Sequence, residues 1–468
     1  MTEPRAVRTV LLLAWPATLS FLLNNSYRIN DQFWIQGLGQ NAQAAIGAMM
    51  FVAIMTFALY YFSAGGTISM VAHAEGAGDR ELRNKVSRHA IGLAIAIGLL
   101  TFTVGPFLIP FITSSMQLTG DVAKHASDYL GAFYAVAPVM VVVIATDHIF
   151  IARGHTVVPM LLQLVAVVCN YILNPILIYG ANAPEAVADL GSIPGFELSM
   201  WIANYFEVEG TGLHGAALAS GISRAVAGSL ALLLLHFVYD TPILRFGKPA
   251  WALLKRMAII AAPVSWSIAV YAAVYWMLYG LVLSQLDESV LAGFSIGFQV
   301  FEGISFPVYL GIGLAGSSLV GRSLGAGDPG QCHVWVHTVR RIGYTAGGIF
   351  ACFFWFGAPL VTEYFTQDEA VAQAALSYAF VLGFSQVFVA IETVNEKILL
   401  GSGHTKPIAP ITLVGNFLRL PIAWVLALTF GFGAAGVWWA INISTAYKAL
   451  SYRRVVQKGE WLSAAAKP

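Results

Sequence analysis

Runs of about 20 residues with almost no charge recur along this chain. That is the length an α-helix needs to cross the ~30 Å hydrocarbon core of a bilayer. Twelve such runs can be placed, at residues 10–37, 46–72, 89–113, 128–152, 158–180, 213–238, 257–283, 290–316, 338–363, 376–400, 406–429 and 434–452. No water in the bilayer core can satisfy a bare backbone N–H or C=O, so each run must fold as a helix that satisfies its own. Only 10% of the residues are charged, against about a quarter in a soluble domain, which is too few to cover a water-facing surface. The sequence predicts an all-α integral membrane protein of twelve transmembrane helices.

Charge then orients the runs. With the N-terminus in the cytoplasm and the helices alternating, every Lys and Arg falls on the cytoplasmic side except Lys124, in an outer loop, and Arg28, Arg224 and Arg419, within spans. Lys397 and Lys448 are counted with the cytoplasmic set. Such a bias is what insertion of positive loops dictates, and it predicts a multi-pass protein of the plasma (inner) membrane with both termini cytoplasmic. The start, MTEPRAVRTVLLLAWP, reads as the first span and not as a cleaved leader, because the apolar run continues without a small-residue cleavage site.

The chain also repeats itself. SMVAHAEGAGDRE at 69–81 resembles SLVGRSLGAGDPG at 318–330, and ARGHT at 152–156 resembles GSGHT at 401–405, both at an offset of 249 residues. Two similar six-helix lobes are expected, 1–238 and 257–452, joined by a cytoplasmic linker at 239–256 and followed by a tail at 453–468. An even number of spans per lobe leaves both lobes in one orientation, related by a pseudo-twofold axis along the membrane normal. An outer loop at 181–211 breaks the pattern, and its FELSMWIANYF segment suits a short interfacial helix.

A net charge of +1 argues against a nucleic-acid partner. Cys169, Cys332 and Cys352 have no framework spacing and read as small hydrophobes. Gly311-x-Gly313-x-x-Gly316 has dinucleotide-loop spacing but ends an apolar span, so close helix packing is the better reading. His333 and His337 have helical metal-ligand spacing without an acidic third ligand and read as membrane-interface histidines. No nucleophile elbow, Walker or zincin motif occurs, and no cofactor or enzymatic activity is expected.

An acid inside a span costs about 3 kcal/mol to insert, so each needs a reason. Asp31 lies well inside the first span, with Arg28 three residues earlier. Glu302 sits mid-helix among aromatics in FQVFEGISF. Glu392 and Glu396 lie one turn apart in AIETVNEKILL. Asp147, Glu396 and Lys397 are near enough to the cytoplasmic end to be solvated.

These residues in this order resemble the multidrug and toxic compound extrusion (MATE) family of secondary transporters. The resemblance rests on Pro16 in the first helix, NDQFWIQGLGQNAQAAIGA, EGAGD, ARGHT, NYILNPILIYG and GLHGAALASGISR. It implies two six-helix lobes around a central cavity and export of organic, chiefly cationic, compounds in exchange for H+ or Na+. It further implies an N-lobe coupling site at Asp31, Asn170, Asn174, Ser220 and Tyr129, with Na+ held by Asp31, Asn170, Asn174 and Ser220. The family pattern has a second aspartate where this chain has Asn174, and an uncharged residue where it has Arg28. One lost carboxylate and one added positive charge both weaken such a site for Na+. Coupling through Glu302, Glu392 or Glu396 in the C-lobe is the alternative location. Tyr60, Tyr61, Tyr271, Tyr275, Trp276, Phe298 and Phe301 are candidates for cation–π contact with cargo, each of which packing alone would also explain. The expected partners are small organic cations and membrane lipids, and the expected state is a monomer. A flippase for lipid-linked or amphiphilic cargo on a related fold is the alternative function; it would want several cationic residues facing its cavity.

Overall fold

The computed structural model describes residues 3–181, 195–243 and 249–466, with the backbone alone for Arg28, Gln40, Ala44, Phe51 and residues 464–466. Its helices are α1 (Glu3–Ile35), α2 (Gln40–Gly76), α3 (Arg80–Ser115), α4 (Gly120–Ala135), α5 (Ala137–Ala152), α6 (Val157–Tyr179), α7 (Phe196–Tyr205) and α8 (Leu213–Val238) in the first half. The second half holds α9 (Trp251–Leu281), α10 (Glu288–Gly325), α11 (Pro329–Phe365), α12 (Glu369–Gly383), α13 (Gln386–Ser402), α14 (Ile408–Thr429) and α15 (Gly433–Lys458). Among the described residues, nine helices are long and apolar enough to cross a membrane, and two bent pairs raise this to eleven. The twelfth, α15, is 26 residues long. It is less apolar because it buries Asn442, Ser444, Thr445 and Lys448. The layout is the expected twelve-helix, two-lobe one.

Two expected spans are broken. The fourth bends by 54° between α4 and α5, and the tenth by 57° between α12 and α13. The first break precedes Pro138, which has no N–H to continue the ladder. At the second, Ser385 Oγ (2.8 Å) and Gln386 Nε2 (3.3 Å) both donate to the Leu382 carbonyl, so side chains compete with the backbone there. Val136 and Ser385 are 249 residues apart, the same offset as the repeats.

The repeated motifs are turns. In EGAGD and LGAGD a glycine with positive φ (Gly78 and Gly327, both +70°) stops one helix. The following aspartate caps the next, with Asp79 accepting from Leu82 N at 2.9 Å and Asp328 from Gln331 N at 2.8 Å.

The lobes meet along α2 against α9 and α1 against α10. Their closest approach is at the arginine-rich end and is reciprocal. Ser69 Oγ donates to the Gly401 carbonyl at 3.3 Å and Ser318 Oγ to the Ala152 carbonyl at 3.1 Å. Gly76 lies against the Arg322 carbonyl and Gly325 against the His73 carbonyl, with no room for a Cβ at either. Gly311, Gly313 and Gly316 also serve packing, facing Thr18, Lys397 and Val339 on three different helices.

Of the 181–211 loop, residues 182–194 lie outside the described residues. The expected short helix is α7. It buries Phe196, Ser199 and Ala203 and exposes Leu198, Trp201 and Tyr205. Residues 244–248 of the expected linker also lie outside the described residues. Before them, Tyr239 and Asp240 are tied to the N-lobe by Arg153 (2.9 Å) and Arg83 (3.1 Å).

Candidate functional site

Asp31 is one turn from the end of α1, where the helix leans on α6 and α8. Its carboxylate accepts from Asn174 Nδ2 at 2.8 Å and Asn170 Nδ2 at 3.5 Å through one oxygen. The other oxygen accepts from Ser220 Oγ at 3.2 Å. Asn170 also donates to Ser220 Oγ at 3.1 Å. The spacing of four residues puts Asn170 and Asn174 on one face of α6, and both are fully buried. Four of the five residues that the family resemblance singles out are thus gathered from three helices.

Tyr129 is the fifth, and its ring stacks on Phe133 at 6.2 Å in an aromatic layer that includes Tyr60. The described hydrogen bonds of Asp31 come from the other three residues. The side chain of Arg28, and hence its pairing with Asp31, lies outside the described residues. Two residues that sequence reasoning passed over complete the network. Asn30 Nδ2 donates to Asn170 Oδ1 at 2.8 Å, and Trp34 Nε1 donates to Asn30 Oδ1 at 2.9 Å. The available signal was the i,i+4 spacing of Asn30 and Trp34 in NDQFW. Trp34 is pinned in turn by Phe196 of α7, stacked at 5.5 Å.

Asn174 Oδ1 is buried without a hydrogen-bond partner. One carboxylate, two side-chain amides and a hydroxyl form a hard-oxygen donor set suited to Na+, and the unpartnered oxygen gives such an ion a ready ligand. For the amides to turn all their oxygens inward, they must release the carboxylate they now hold.

A second charged cluster occupies the C-lobe. Glu302 follows a widened turn at Gly297–Phe301 and accepts from Tyr378 OH at 2.9 Å. Arg419 is buried, bonds Ser444 Oγ at 3.0 Å and lies 4.7 Å from the Tyr275 ring centroid. Glu392 pairs with Lys448, and Glu396 with Lys397, both at 2.8 Å. This corrects two expectations. Lys397 and Lys448 are not solvated end residues but are 6% and 3% exposed, and Glu396 is an ion-paired interior acid. Hydropathy placed them near an end; the facing glutamates, one turn apart, are what hold them inside.

The C-lobe cluster reaches N-lobe residues across the lobe interface. Lys397 Nζ lies 5.8 Å from the Tyr61 ring centroid, and Tyr61 OH is 3.2 Å from His148 Nε2. Next to His148, Asp147 stands in the field of Arg224. It is partly buried, five residues before the end of α5. Arg224 bonds Asn24 Oδ1 at 3.0 Å and covers Tyr27 at 4.6 Å. Asp31, Asp147, Glu302, Glu392 and Glu396 are all partly exposed, while Arg419, Lys397 and Lys448 are buried. Of the candidate aromatics, Tyr60, Tyr275 and Phe301 are packed in the core, whereas Trp276 is 46% exposed.

The MatE family model matches residues 16–176 and 263–425, one block in each lobe. Over 98% of its length the chain is 24% identical to a probable multidrug resistance protein NorM of Thermotoga maritima, covering 94% of that protein. It is 26% identical to the probable NorM of Bradyrhizobium diazoefficiens, covering 93% of this chain and 90% of that one. Its fold matches that of a solved MOP superfamily transporter from Pyrococcus furiosus with a TM-score of 0.84 at 20% identity, covering 99% of this chain and 97% of that one. With both lobes matched in order and the repeated turns in place, the chain belongs to the MatE family of transporters.

Proposed function

We propose that this protein exports organic cations across the plasma membrane in exchange for H+ or Na+, by alternating access of lobes 1–238 and 257–452 about the linker 239–256. The observation that carries this reading is the Asp31 carboxylate, held by side chains of two neighbouring helices yet partly exposed. A carboxylate so placed attracts a cation and releases it when H+ or Na+ neutralises the charge, so coupling ion and cargo compete. The names of the relatives, multidrug resistance proteins, agree with such cargo. Partly exposed carboxylates favour a cationic cargo over the phosphate-bearing cargo of a flippase. Of the cations within spans that a flippase would use, Arg28, Arg224 and Arg419, the side chain of the first lies outside the described residues, while Arg224 bonds Asn24 and Arg419 bonds Ser444.

Asp31→Asn keeps the size of the side chain and one acceptor oxygen for the two asparagines, removes the charge, and turns the oxygen that accepts from Ser220 into a donor. The expected result is loss of ethidium efflux from drug-sensitive cells at unchanged membrane abundance. Wild-type efflux by the variant rejects the assignment of Asp31.

A further inference from the structure

The His333/His337 pair has no part in the transport reading, yet it belongs to a larger pattern. His333, His337, Arg340, Arg341 and Tyr344 recur at intervals of three and four residues, which puts them on one face of α11. They line a pocket of about 400 Å³. Arg340 Nε bonds Tyr344 OH at 2.9 Å, and Tyr344 OH is anchored by Asn395 Nδ2 at 2.9 Å, so the pocket wall is fixed to the C-lobe interior. Both histidines and Arg341 are exposed.

Arg341 also belongs to a second, larger hollow. This groove of about 1020 Å³ runs along α1 from Glu3 to Leu22 and is closed on its far side by Val308 and Ile312 of α10. Its floor is apolar, with Leu11, Leu12, Trp15 and Leu19 each 38–54% exposed. From Arg8 to Leu22 it extends ~21 Å, more than the ~15 Å depth of one leaflet. A basic pocket thus opens directly onto an apolar channel in a membrane-spanning helix pair.

We propose that this pocket and groove bind one anionic phospholipid of the leaflet on the arginine-rich side. Its phosphate is held by Arg340 and Arg341, and one acyl chain runs along α1 over Leu12 and Trp15. Charge complementarity selects the anionic headgroup, and the groove selects a chain over a water-soluble anion. Glu3 already pairs with Arg341 at the junction, so it competes with the phosphate. Because both partners are more than 60% exposed, that pair is weak and displaceable. The site shares no residue with the Asp31 cluster and stands whether or not Asp31 couples transport.

Native mass spectrometry of the purified full chain, titrated with phosphatidylglycerol or phosphatidylcholine of the same chain length, tests this. Wild type is expected to retain one phosphatidylglycerol in clear preference to phosphatidylcholine. R340A/R341A should lower that preference about tenfold or more, and R340K/R341K should keep most of it. E3Q should tighten it by freeing Arg341. L12W, which fills the groove without touching charge, should weaken retention of phosphatidylglycerol while leaving binding of inorganic phosphate unaltered. Equal retention of the two lipids by wild type, or an unchanged preference in R340A/R341A, overturns the proposal. So does looser binding in E3Q, or full retention in L12W.

Discussion

A buried ion is tolerated only when its partner is close and the remaining polar atoms are satisfied. Glu392 and Lys448 meet that condition at 2.8 Å, with side chains 16% and 4% exposed. Lys448→Met should therefore leave Glu392 uncompensated and destabilise the protein by ~2–3 kcal/mol, below the fully buried range because the carboxylate is partly wet. Adding Glu392→Gln should recover part of the loss, read as thermal unfolding in detergent. Equal destabilisation by the single and double variants would show that the pair is not coupled. The acids at issue were visible in the sequence as charges inside apolar runs. Their partners were not, because Lys397 follows Glu396 directly while Lys448 is 56 positions beyond Glu392, on another helix. Asn30 and Trp34 escaped for a related reason: their hydrogen bonds matter only once α6 brings Asn170 alongside.

At the scale of elements, the 249-residue offset translates into matched turns, matched breaks and a reciprocal contact between lobes. Gly76 and Gly325 each lie against a backbone carbonyl of the other lobe, where a methyl group has no space. Gly325→Ala should hold the lobes apart at the arginine-rich end. Spin labels at Glu81 and His333, both exposed, should then report longer distances than in the wild-type background. An unaltered distance distribution would contradict this role. The repeats and the twelve runs were legible in the sequence, as was the packing role of Gly311, Gly313 and Gly316. The breaks at Val136 and Ser385 were not, since an apolar run reads alike whether its helix is straight or bent, and Pro138 marks only one of them.

At the scale of the whole molecule, few charges and long apolar runs set the fold class, and the repeat set two lobes. Both lobes carry partly exposed carboxylates, and those of the C-lobe are paired with buried lysines. Tyr61 and His148 of one lobe and Lys397 of the other give the lobes a polar contact within the membrane-spanning region. Any relative movement of the lobes must remake it. In the proposed mechanism, transport depends on an ion gradient and on the carboxylate that senses the ion. The most direct measurement is ethidium transport by wild-type and Asp31→Asn protein in proteoliposomes, with a pH gradient or a Na+ gradient imposed in turn. Wild type is expected to transport with at least one gradient and to stop when an ionophore collapses it, while Asp31→Asn transports with neither. Gradient-driven transport by Asp31→Asn at the wild-type rate would contradict the central claim.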